Sequence, residues 1–376
     1  MSKTIHAYIL SRLQQRKDEG RYRTLKLLNG LIDFTSNDYL GLAHDSKLQA
    51  IVAEETNKVQ CNKFGSTGSR LLSGNSYYAE MLEQKLAAFH HAEAALLFNS
   101  GFDANYGLLS TLPYTSDTIL YDELVHASIH DGVRNSKASS IPFAHNNLED
   151  LGHKITKAHG RLYVVVESIF SMNGDTAPLN ALVKICEQYD AGLIVDEAHA
   201  TGIFGAAGRG LVVELGLESN VLARVHTFGK AIGASGAAIV SSQALKDFLI
   251  NYCRPFIFST APPLHTLAAI NCAYDLLQQE PWRLQQLKQN IMLFKSEMSK
   301  HTNIQWLPSD SPIQSIIFPG NENVKSIANA LQQQGLDVRP ILSPTVPKGQ
   351  ERIRICLHTF NTKEEVIKLA SVIGQF

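Results

Sequence analysis

The stretch LIVDEAHATG, residues 193–202, and the later stretch TFGKAIG, residues 227–233, decide how this chain is organised. The first is an apolar run that leads directly into Asp196 and His199, the pattern of a strand buried on both faces. The second presents Lys230 in a glycine-flanked turn after another short apolar segment. Because ligands bind at the C-terminal ends of strands in parallel α/β sheets, all three side chains are predicted to lie at that edge.

Strand-like and helix-like segments alternate around these two stretches, from about residue 80 to residue 241. The apolar runs are continuous rather than alternating, which predicts a mainly parallel sheet under helices and an α/β fold class. Strands are predicted at residues 94–99, 119–121, 161–167, 192–196, 225–228 and 237–241. Helices are predicted at residues 80–91, 105–112, 126–135 and 179–189.

The character of the sequence changes after Pro262-Pro263. Helices predicted at residues 264–277, 282–298, 324–334 and 363–373 enclose strands predicted at 313–318, 336–341 and 352–357, which indicates an α+β unit. Residues 1–23 have the pattern of an amphipathic helix. We therefore expect an N-terminal helix and linking segment over residues 1–45, a large domain over 46–262 and a small C-terminal domain over 263–376.

The bulk composition excludes several classes of protein. The 376 residues are 44% hydrophobic and carry 34 basic against 35 acidic side chains, so no net charge favours nucleic acid or an anionic membrane. No apolar run approaches the length of a membrane span or of a signal peptide core. Five scattered cysteines without a Cys-x-x-Cys motif argue against disulfides and a metal site, and predict a reducing, cytoplasmic setting.

Lys230 and Asp196 have side chains suited to one particular cofactor. A lysine amine forms a Schiff base with an aldehyde, and a carboxylate keeps a pyridine nitrogen protonated. This pair is the minimum equipment of a pyridoxal-phosphate (PLP) enzyme, and His199, three residues after Asp196, could hydrogen-bond the ring hydroxyl. The alternatives are a solvated surface lysine and a structural salt bridge between Asp196 and an arginine. The glycines that flank Lys230 argue against the first.

Three further motifs can complete such a site. The run NSGFDAN, residues 99–105, joins a strand to a helix, and Gly101 would let backbone N–H groups approach a phosphate. Thr227 could bind the same phosphate through its hydroxyl, Ser171 could touch the cofactor, and the imidazole of His126 could stack on a flat ring. Each of these also has an ordinary structural interpretation as a turn or a core residue.

Two motifs point toward substrate. Alternation in RIRIC, residues 352–356, places Arg352 and Arg354 on one strand face, and a guanidinium is a natural clamp for an amino-acid carboxylate. The alternative is a solvated edge strand. The glycine-rich run GSTGSRLLSG, residues 65–74, is equally consistent with a substrate entrance and with a surface loop.

Together with FTSNDYLG, residues 34–41, and PTVP, residues 344–347, these motifs resemble the α-oxoamine synthase family of fold-type-I PLP enzymes over nearly the whole chain. The resemblance implies a PLP-dependent acyltransferase that condenses an amino acid with an acyl thioester, and a homodimer with shared active sites. The run at residues 65–74 looks most like members that join L-alanine to a pimeloyl thioester, on CoA or acyl-carrier protein, in biotin biosynthesis. Alternatives are a synthase using glycine, serine or another acyl thioester, and a fold-type-I aminotransferase.

The resemblance also implies a role for individual residues. The catalytic residues would be Lys230, His126 and Asp196, with His126 also able to protonate the acylated intermediate. The cofactor would be bound by Gly101, Phe102, His126, Ser171, Asp196, His199, Thr227, Lys230 and, serving the neighbouring subunit, Thr260. The substrates would be bound by Arg21, Asn37, His126, Thr345 and Arg354.

Two positions depart from the pattern of the family. Ser343 stands where some of the members that use a pimeloyl thioester have an arginine, which leaves recognition of the acyl chain's terminal carboxylate open. Asn173 replaces an aspartate in the run SIFSMNGD, residues 168–175, and this change is expected to be tolerated.

Overall fold

The computed structural model describes residues 2–25, 30–59 and 65–376. Its N-terminal part consists of α1 (Lys3–Asp18), β1 (Ile32–Asp33) and α2 (Ser46–Lys58). The predicted N-terminal helix is present, but none of its described side chains is buried. Its apolar residues, Ile5, Tyr8, Ile9, Leu10 and Leu13, are therefore exposed.

A seven-stranded sheet follows and confirms the predicted α/β fold. Its strands are β2 (Ala94–Phe98), β3 (Thr118–Asp122), β4 (Ser139–Phe143), β5 (Leu162–Glu167), β6 (Ala191–Asp196), β7 (Ala223–Thr227) and β8 (Ala237–Ser241). They lie in the order β2-β8-β7-β6-β5-β3-β4. Every neighbouring pair is parallel except the two that involve β8. The C-terminal ends of β5, β6 and β7 therefore meet at one edge.

The sheet is covered by helices on both faces, as its continuous apolar strands require. These helices are α3 (Tyr77–Phe89), α4 (Gly101–Thr111), α5 (Ala127–Asn135), α6 (Leu148–Ile155), α7 (Leu179–Gln188), α8 (Leu211–Glu214), α9 (Gln243–Tyr252) and α10 (Arg254–Ile257). Leu108, Ile129 and Leu182 belong to one buried cluster on the sheet, and Leu82 and Leu86 belong to another.

The C-terminal part has its own small sheet. Its elements are α11 (Leu264–Gln279), α12 (Trp282–Met298), β9 (Ile313–Ile317), α13 (Asn321–Gln333), β10 (Leu336–Asp337), β11 (Arg339–Ile341), β12 (Arg352–Cys356) and α14 (Lys363–Ile373). Strands β11, β12 and β9 form an antiparallel sheet in that order, while β10 pairs in parallel with β1. The division into three units at residues 45 and 262 stays a prediction.

The predicted and observed elements differ at several points. Helix α4 begins at Gly101 rather than near residue 105, because the Ser100 hydroxyl caps it by accepting a hydrogen bond from the Asp103 amide at 3.0 Å. The single strand predicted at residues 336–341 is divided between two sheets. Strand β4 gave no apolar signal because it is a largely exposed edge strand that contains Pro142.

Within the residues that the structure describes, no helix is both long enough and apolar enough to span a membrane.

Candidate active site

Polar side chains collect at the edge where β5, β6 and β7 end. Glu167 and Asp196 are paired in register as the last residues of β5 and β6. Lys230 follows β7 in a turn closed by hydrogen bonds from the Phe228 amide to Gly236 and from the Ala234 amide to Phe228, both 2.9 Å. The predicted convergence of strand ends is therefore present in the structure.

The turn that carries Lys230 requires glycine at position 233. Gly233 has φ of +66°, and a Cβ there would lie 2.4 Å from the amide nitrogen of Ala43. An alanine would therefore strain the backbone and push away the segment after the FTSNDYLG motif. The glycine lets two distant parts of the chain approach each other beside the lysine.

Lys230 lies against His199, which in turn contacts Tyr39. Its Nζ is 2.8 Å from His199 Nε2, and His199 Nδ1 is 2.8 Å from the Tyr39 hydroxyl. Burial lowers the pKa of Lys230 to about 8, and burial holds the pKa of His199 well below its ordinary value. Lys230 can thus lose its proton near neutral pH, while His199 stays neutral.

Arg354 reaches the same cluster from β12. Its NH2 group donates to Asn37 Oδ1 at 2.9 Å, and its Nε donates to the carbonyl of Ser171 at 2.6 Å. Asn37 Oδ1 is also 3.0 Å from the hydroxyl of Tyr39. We name Lys230, His199, Tyr39, Asn37 and Arg354 the lysine cluster, because hydrogen bonds join them in one unbroken chain.

Asp196 is held by hydrogen bonds rather than by an arginine. Its Oδ1 accepts from the Ala198 amide at 2.8 Å and its Oδ2 accepts from Asn105 Nδ2 at 2.6 Å. Among the described residues no arginine forms an ion pair with it, so the alternative of a structural salt bridge has no support. A buried carboxylate with only neutral partners is well suited to a cationic ligand group.

His126 is oriented from the same side. Asn105 Nδ2 also donates to Ser128 Oγ at 3.0 Å, and that hydroxyl lies 2.7 Å from His126 Nδ1. The His126 residue is exposed although its Nδ1 edge is tied to the start of α5. A fixed ring with an open face can stack on a flat ligand.

Gly101 and Thr227 form a close corner at the N-terminus of α4. A Cβ on Gly101 would lie 2.4 Å from Thr227 Oγ1, so only glycine lets the two approach this closely. Phe102 is 45% exposed and its ring stacks on Tyr106, which leaves its backbone N–H as its contribution to a site. The carbonyl of Thr260 accepts a hydrogen bond at 2.9 Å from Nδ2 of Asn99, two positions before Gly101.

Glu167 is a buried acid to which the sequence assigned no role. It is 2% exposed, its Oε2 accepts from the Ser171 amide at 3.3 Å, and its Oε1 has no partner among the described residues. Burial, followed by the charge of Asp196, raises the pKa of Glu167 to about 8. The group is therefore mostly protonated at neutral pH, which places an additional acidic proton beside the site.

Two further predicted substrate residues share a cavity. Arg21 and Thr345 line a cavity of about 930 Å³ whose lining does not include Lys230, Asn37 or Arg354. Ser343, the first departure from the family pattern, lines the same cavity. Basic side chains predominate among its charged residues: Arg16, Arg21, Arg23, Lys325 and Arg339. Three of these cations are paired with carboxylates, Arg21 with Glu19, Lys325 with Glu322 and Arg339 with Asp337, so the cavity is only partly neutralised and stays basic.

The second departure from the family pattern has a clear local partner. Asn173 Oδ1 accepts a hydrogen bond from Arg352 NH1, so the guanidinium keeps an oxygen partner where the usual aspartate is missing. Three residues that the sequence did not single out, Tyr39, Asn105 and Ser128, connect the predicted ones. Tyr39 and Asn105 lie inside motifs that were recognised, but the motifs do not say which member makes which contact.

Comparison with known proteins places this geometry in a family. The family model described as aminotransferase class I and II matches residues 29–373. Among curated proteins, the 8-amino-7-oxononanoate synthase of Emericella nidulans is 41% identical, over 96% of this chain and 93% of that protein. The 8-amino-7-oxononanoate synthase 2 of Bacillus subtilis is 35% identical, over 99% of this chain and 98% of that protein.

Solved structures give the same result. A serine palmitoyltransferase from S. paucimobilis, solved with bound PLP and myriocin, has a TM-score of 0.89 at 26% identity, covering 98% of this chain and 96% of that one. The 8-amino-7-oxononanoate synthase from Francisella tularensis has a TM-score of 0.80 at 29% identity, covering 93% and 98%. The predicted fold type and cofactor are confirmed. The chain therefore belongs to the class I and II aminotransferase family and, within it, to the PLP-dependent acyltransferases of the α-oxoamine synthase group.

Proposed function

We propose that this enzyme condenses L-alanine with a pimeloyl thioester, and that the products are 8-amino-7-oxononanoate, CO2 and a free thiol. The observation that carries the proposal is the 41% identity to a protein named for that product, in a chain that keeps Lys230, Asp196, His199 and Arg354 at one edge of the sheet. Either CoA or acyl-carrier protein would carry the acyl group. The reaction would serve biotin biosynthesis.

The residues around Lys230 fit PLP. The corner formed by Gly101 and Thr227 leaves room at a helix N-terminus, where backbone N–H groups favour a phosphate. Asp196 lacks a cationic partner and suits a protonated ring nitrogen, and the open face of His126 suits the ring itself. When bound, PLP supplies an electron sink for the negative charge left at the α-carbon of the substrate.

The side chains of this protein would then do the following. Arg354 would bind the amino-acid carboxylate through its fork of N–H groups. Lys230, with a pKa lowered by burial to about 8, would be neutral often enough to take the α-proton at its Nζ. His199 would accept a hydrogen bond from the resulting ammonium, since its Nε2 lies 2.8 Å from Nζ. Arg21 and Thr345 would meet the anionic acyl thioester in the basic cavity.

A second candidate is condensation of serine or glycine with another acyl thioester. It is favoured by the TM-score of 0.89 to serine palmitoyltransferase, which exceeds the 0.80 to 8-amino-7-oxononanoate synthase, and by Ser343 in place of an arginine. Identity favours the first candidate, at 41% against 26%. The curated relatives also match over nearly their whole length.

Two measurements test the proposal. Thiol release should be measured for alanine, glycine and serine, each with pimeloyl and palmitoyl thioesters, with mass spectrometry of the products. We expect the highest specificity constant for alanine with a pimeloyl thioester. The Lys230→Ala variant should release no thiol. A higher specificity constant for serine or glycine would contradict the substrate assignment and leave the family unchanged.

The role of Lys230 is tested separately. Borohydride reduction followed by peptide mapping should leave a phosphopyridoxyl group on Lys230, and alanine should exchange its α-proton in heavy water without any thioester. Mapping the group to another lysine would contradict the assignment. An aminotransferase, by contrast, would convert alanine to an oxo acid and release no thiol.

We also propose a homodimer in which Thr260 serves the phosphate of the neighbouring subunit. Tyr252 and Phe258, close to Thr260 in sequence, are 63% and 70% exposed, and such aromatic surface favours association. Sedimentation should give twice the mass of one chain. Mixing inactive Lys230→Ala with Thr260→Val should restore wild-type cofactor affinity at one site of each mixed dimer, and failure to do so would contradict the sharing.

A further inference from the structure

The hydroxyl of Tyr39 occupies the centre of the lysine cluster. It lies 2.8 Å from His199 Nδ1 and 3.0 Å from Asn37 Oδ1, and the Tyr39 side chain is completely buried. Burial keeps the pKa of Tyr39 well above its ordinary value, so the hydroxyl retains its proton. One proton therefore faces two acceptors, and it can be donated to only one of them at a time.

The first arrangement of protons satisfies the cluster as the distances stand. Tyr39 donates to Asn37 Oδ1, whose role as an acceptor is fixed because Arg354 NH2 donates to the same atom at 2.9 Å. The Tyr39 oxygen then accepts from His199 Nδ1–H. Because His199 is neutral, its Nε2 carries no proton and accepts from Lys230 Nζ at 2.8 Å. This arrangement favours an ammonium group on Lys230.

The second arrangement reverses the imidazole. Tyr39 donates to His199 Nδ1, and the imidazole proton moves to Nε2, where it can be donated to an acceptor. Asn37 Oδ1 still receives the hydrogen bond from Arg354. This arrangement favours a neutral amine at Lys230, or another hydrogen-bond acceptor that a bound cofactor would supply. Neither arrangement leaves His199 Nδ1 without a partner.

We propose that Tyr39 is a positioning residue whose hydroxyl determines which ring nitrogen of His199 carries the proton. The outcome depends on the groups that Arg354 and Lys230 bind. A substrate carboxylate that draws the Arg354 guanidinium away would leave Asn37 Oδ1 dependent on Tyr39. The hydroxyl would then turn toward Asn37, and Nε2 would become an acceptor for the ammonium that Lys230 forms when it takes a proton. Carboxylate binding at Arg354 is thereby linked to proton uptake at Lys230. The link rests on the proposed roles of these two residues.

The chain offers a matched control for Tyr39. Tyr274 is also completely buried, and its hydroxyl lies 2.9 Å from a histidine nitrogen, His90 Nε2. The other nitrogen, His90 Nδ1, faces the backbone carbonyl of Arg209 at 2.8 Å. A carbonyl only accepts, so the tautomer of His90 is fixed whatever the enzyme binds.

The experiment is nitrogen NMR of histidine-labelled enzyme, with the His199 signal assigned from a His199→Gln variant. In the cofactor-free protein we expect the proton of His199 on Nδ1, and in the PLP-loaded protein on Nε2. Propionate, which has the carboxylate of alanine but no amine, should move the loaded enzyme back toward Nδ1–H. One tautomer throughout, or a cationic His199, would overturn the proposal.

The variants test whether Tyr39 carries the link. In Tyr39→Phe the response of His199 to propionate should be lost, whereas Tyr274→Phe should respond like the wild type. An unchanged response in Tyr39→Phe would overturn the proposal. If Tyr39→Phe does not fold, the wild-type enzyme still tests the proposal in its three states: cofactor-free, PLP-loaded, and PLP-loaded with propionate. Borohydride mapping identifies the lysine that holds PLP. It therefore distinguishes failure of the proposed function from failure of the link between Arg354 and Lys230.

Discussion

In the part of the chain that the structure describes, two buried histidine–tyrosine pairs are joined by hydrogen bonds of nearly equal length, one beside Lys230 and one in the core. His199 and Tyr39 are 2.8 Å apart, and His90 and Tyr274 are 2.9 Å apart. Both tyrosines are completely buried and both histidines are held neutral by burial, which lowers the pKa of His90 to about 3. Residue type, distance and burial therefore do not distinguish the two pairs.

The third partner distinguishes them. His90 bonds to a backbone carbonyl, and its ring stacks on His226 at 3.6 Å between ring centroids. His226 in turn lies 2.8 Å from Thr201 Oγ1. Arg224 NH1 donates to the backbone carbonyl of His90 at 2.7 Å. We name His90, Tyr274, His226, Thr201 and Arg224 the core cluster. His199 instead faces Lys230, which gains and loses a proton near neutral pH. A buried polar pair becomes able to move protons only when one of its partners can titrate.

The largest expected difference is between two adjacent acids at the end of β6. Asp196 accepts a hydrogen bond from Asn105, which also bonds Ser128 beside His126. Glu197 instead accepts a hydrogen bond from the Val212 amide and lies beside Gly210 near His226. We expect Asp196→Asn to lose about a hundredfold in turnover, a barrier increase of about 2.7 kcal/mol. Glu197→Gln should retain wild-type turnover. Steady-state kinetics on PLP-saturated enzyme measure both, and equal losses would mean that the comparison is wrong.

The core pair should affect stability without affecting catalysis. Tyr274→Phe leaves His90 Nε2 buried without a donor, which should cost about 2 kcal/mol in the free energy of unfolding. Turnover at saturating substrate should not change. Denaturant unfolding of the cofactor-free protein gives the first quantity. A loss of activity without loss of stability would mean that the core cluster communicates with the site.

Gly101→Ala should weaken cofactor binding by about tenfold, or about 1.4 kcal/mol. The added Cβ would lie 2.4 Å from Thr227 Oγ1 and would open the corner that is proposed to receive the phosphate. The dissociation constant for PLP is measured by fluorescence. Gly152→Ala is a suitable control, because a Cβ there would meet no atom within 4 Å. Equal affinities in the two variants would argue against a phosphate at this corner.

A partly buried histidine, His145, sharpens the comparison because both of its partners are acids. Burial opposes charge on His145, but hydrogen bonds to Asp122 at 3.0 Å and Asp175 at 2.7 Å raise its pKa to about 9. The folded pKa exceeds the unfolded value, so the stabilisation is complete below about pH 6.5 and is lost as the pH rises through 9. At pH 6 the free energy of unfolding of the wild type should exceed that of His145→Gln by about 1 kcal/mol, and at pH 10 the two should be equal. A difference independent of pH would contradict a charged His145.

Much of the fold could be predicted because each signal was local. Continuous apolar runs identified β5, β6 and β7 and their parallel arrangement, and helices α12 and α14 have the predicted bounds. Strand β4 was missed because an exposed edge strand has little apolar pattern. The split between β10 and β11 was missed because it depends on β1, which lies far away in sequence.

The sequence by itself determined the chemistry: a glycine-flanked Lys230, a strand that ends in Asp196, and an arginine on β12 for a carboxylate. Only the tertiary structure decided how these groups are connected. Tyr39 and His199 are 160 positions apart, and Asn37 and Arg354 are 317 apart. The physical reason is that a hydrogen bond depends on atoms within about 3 Å and on which partner holds the proton. Motifs specify residue types, and only packing specifies which of them share a proton.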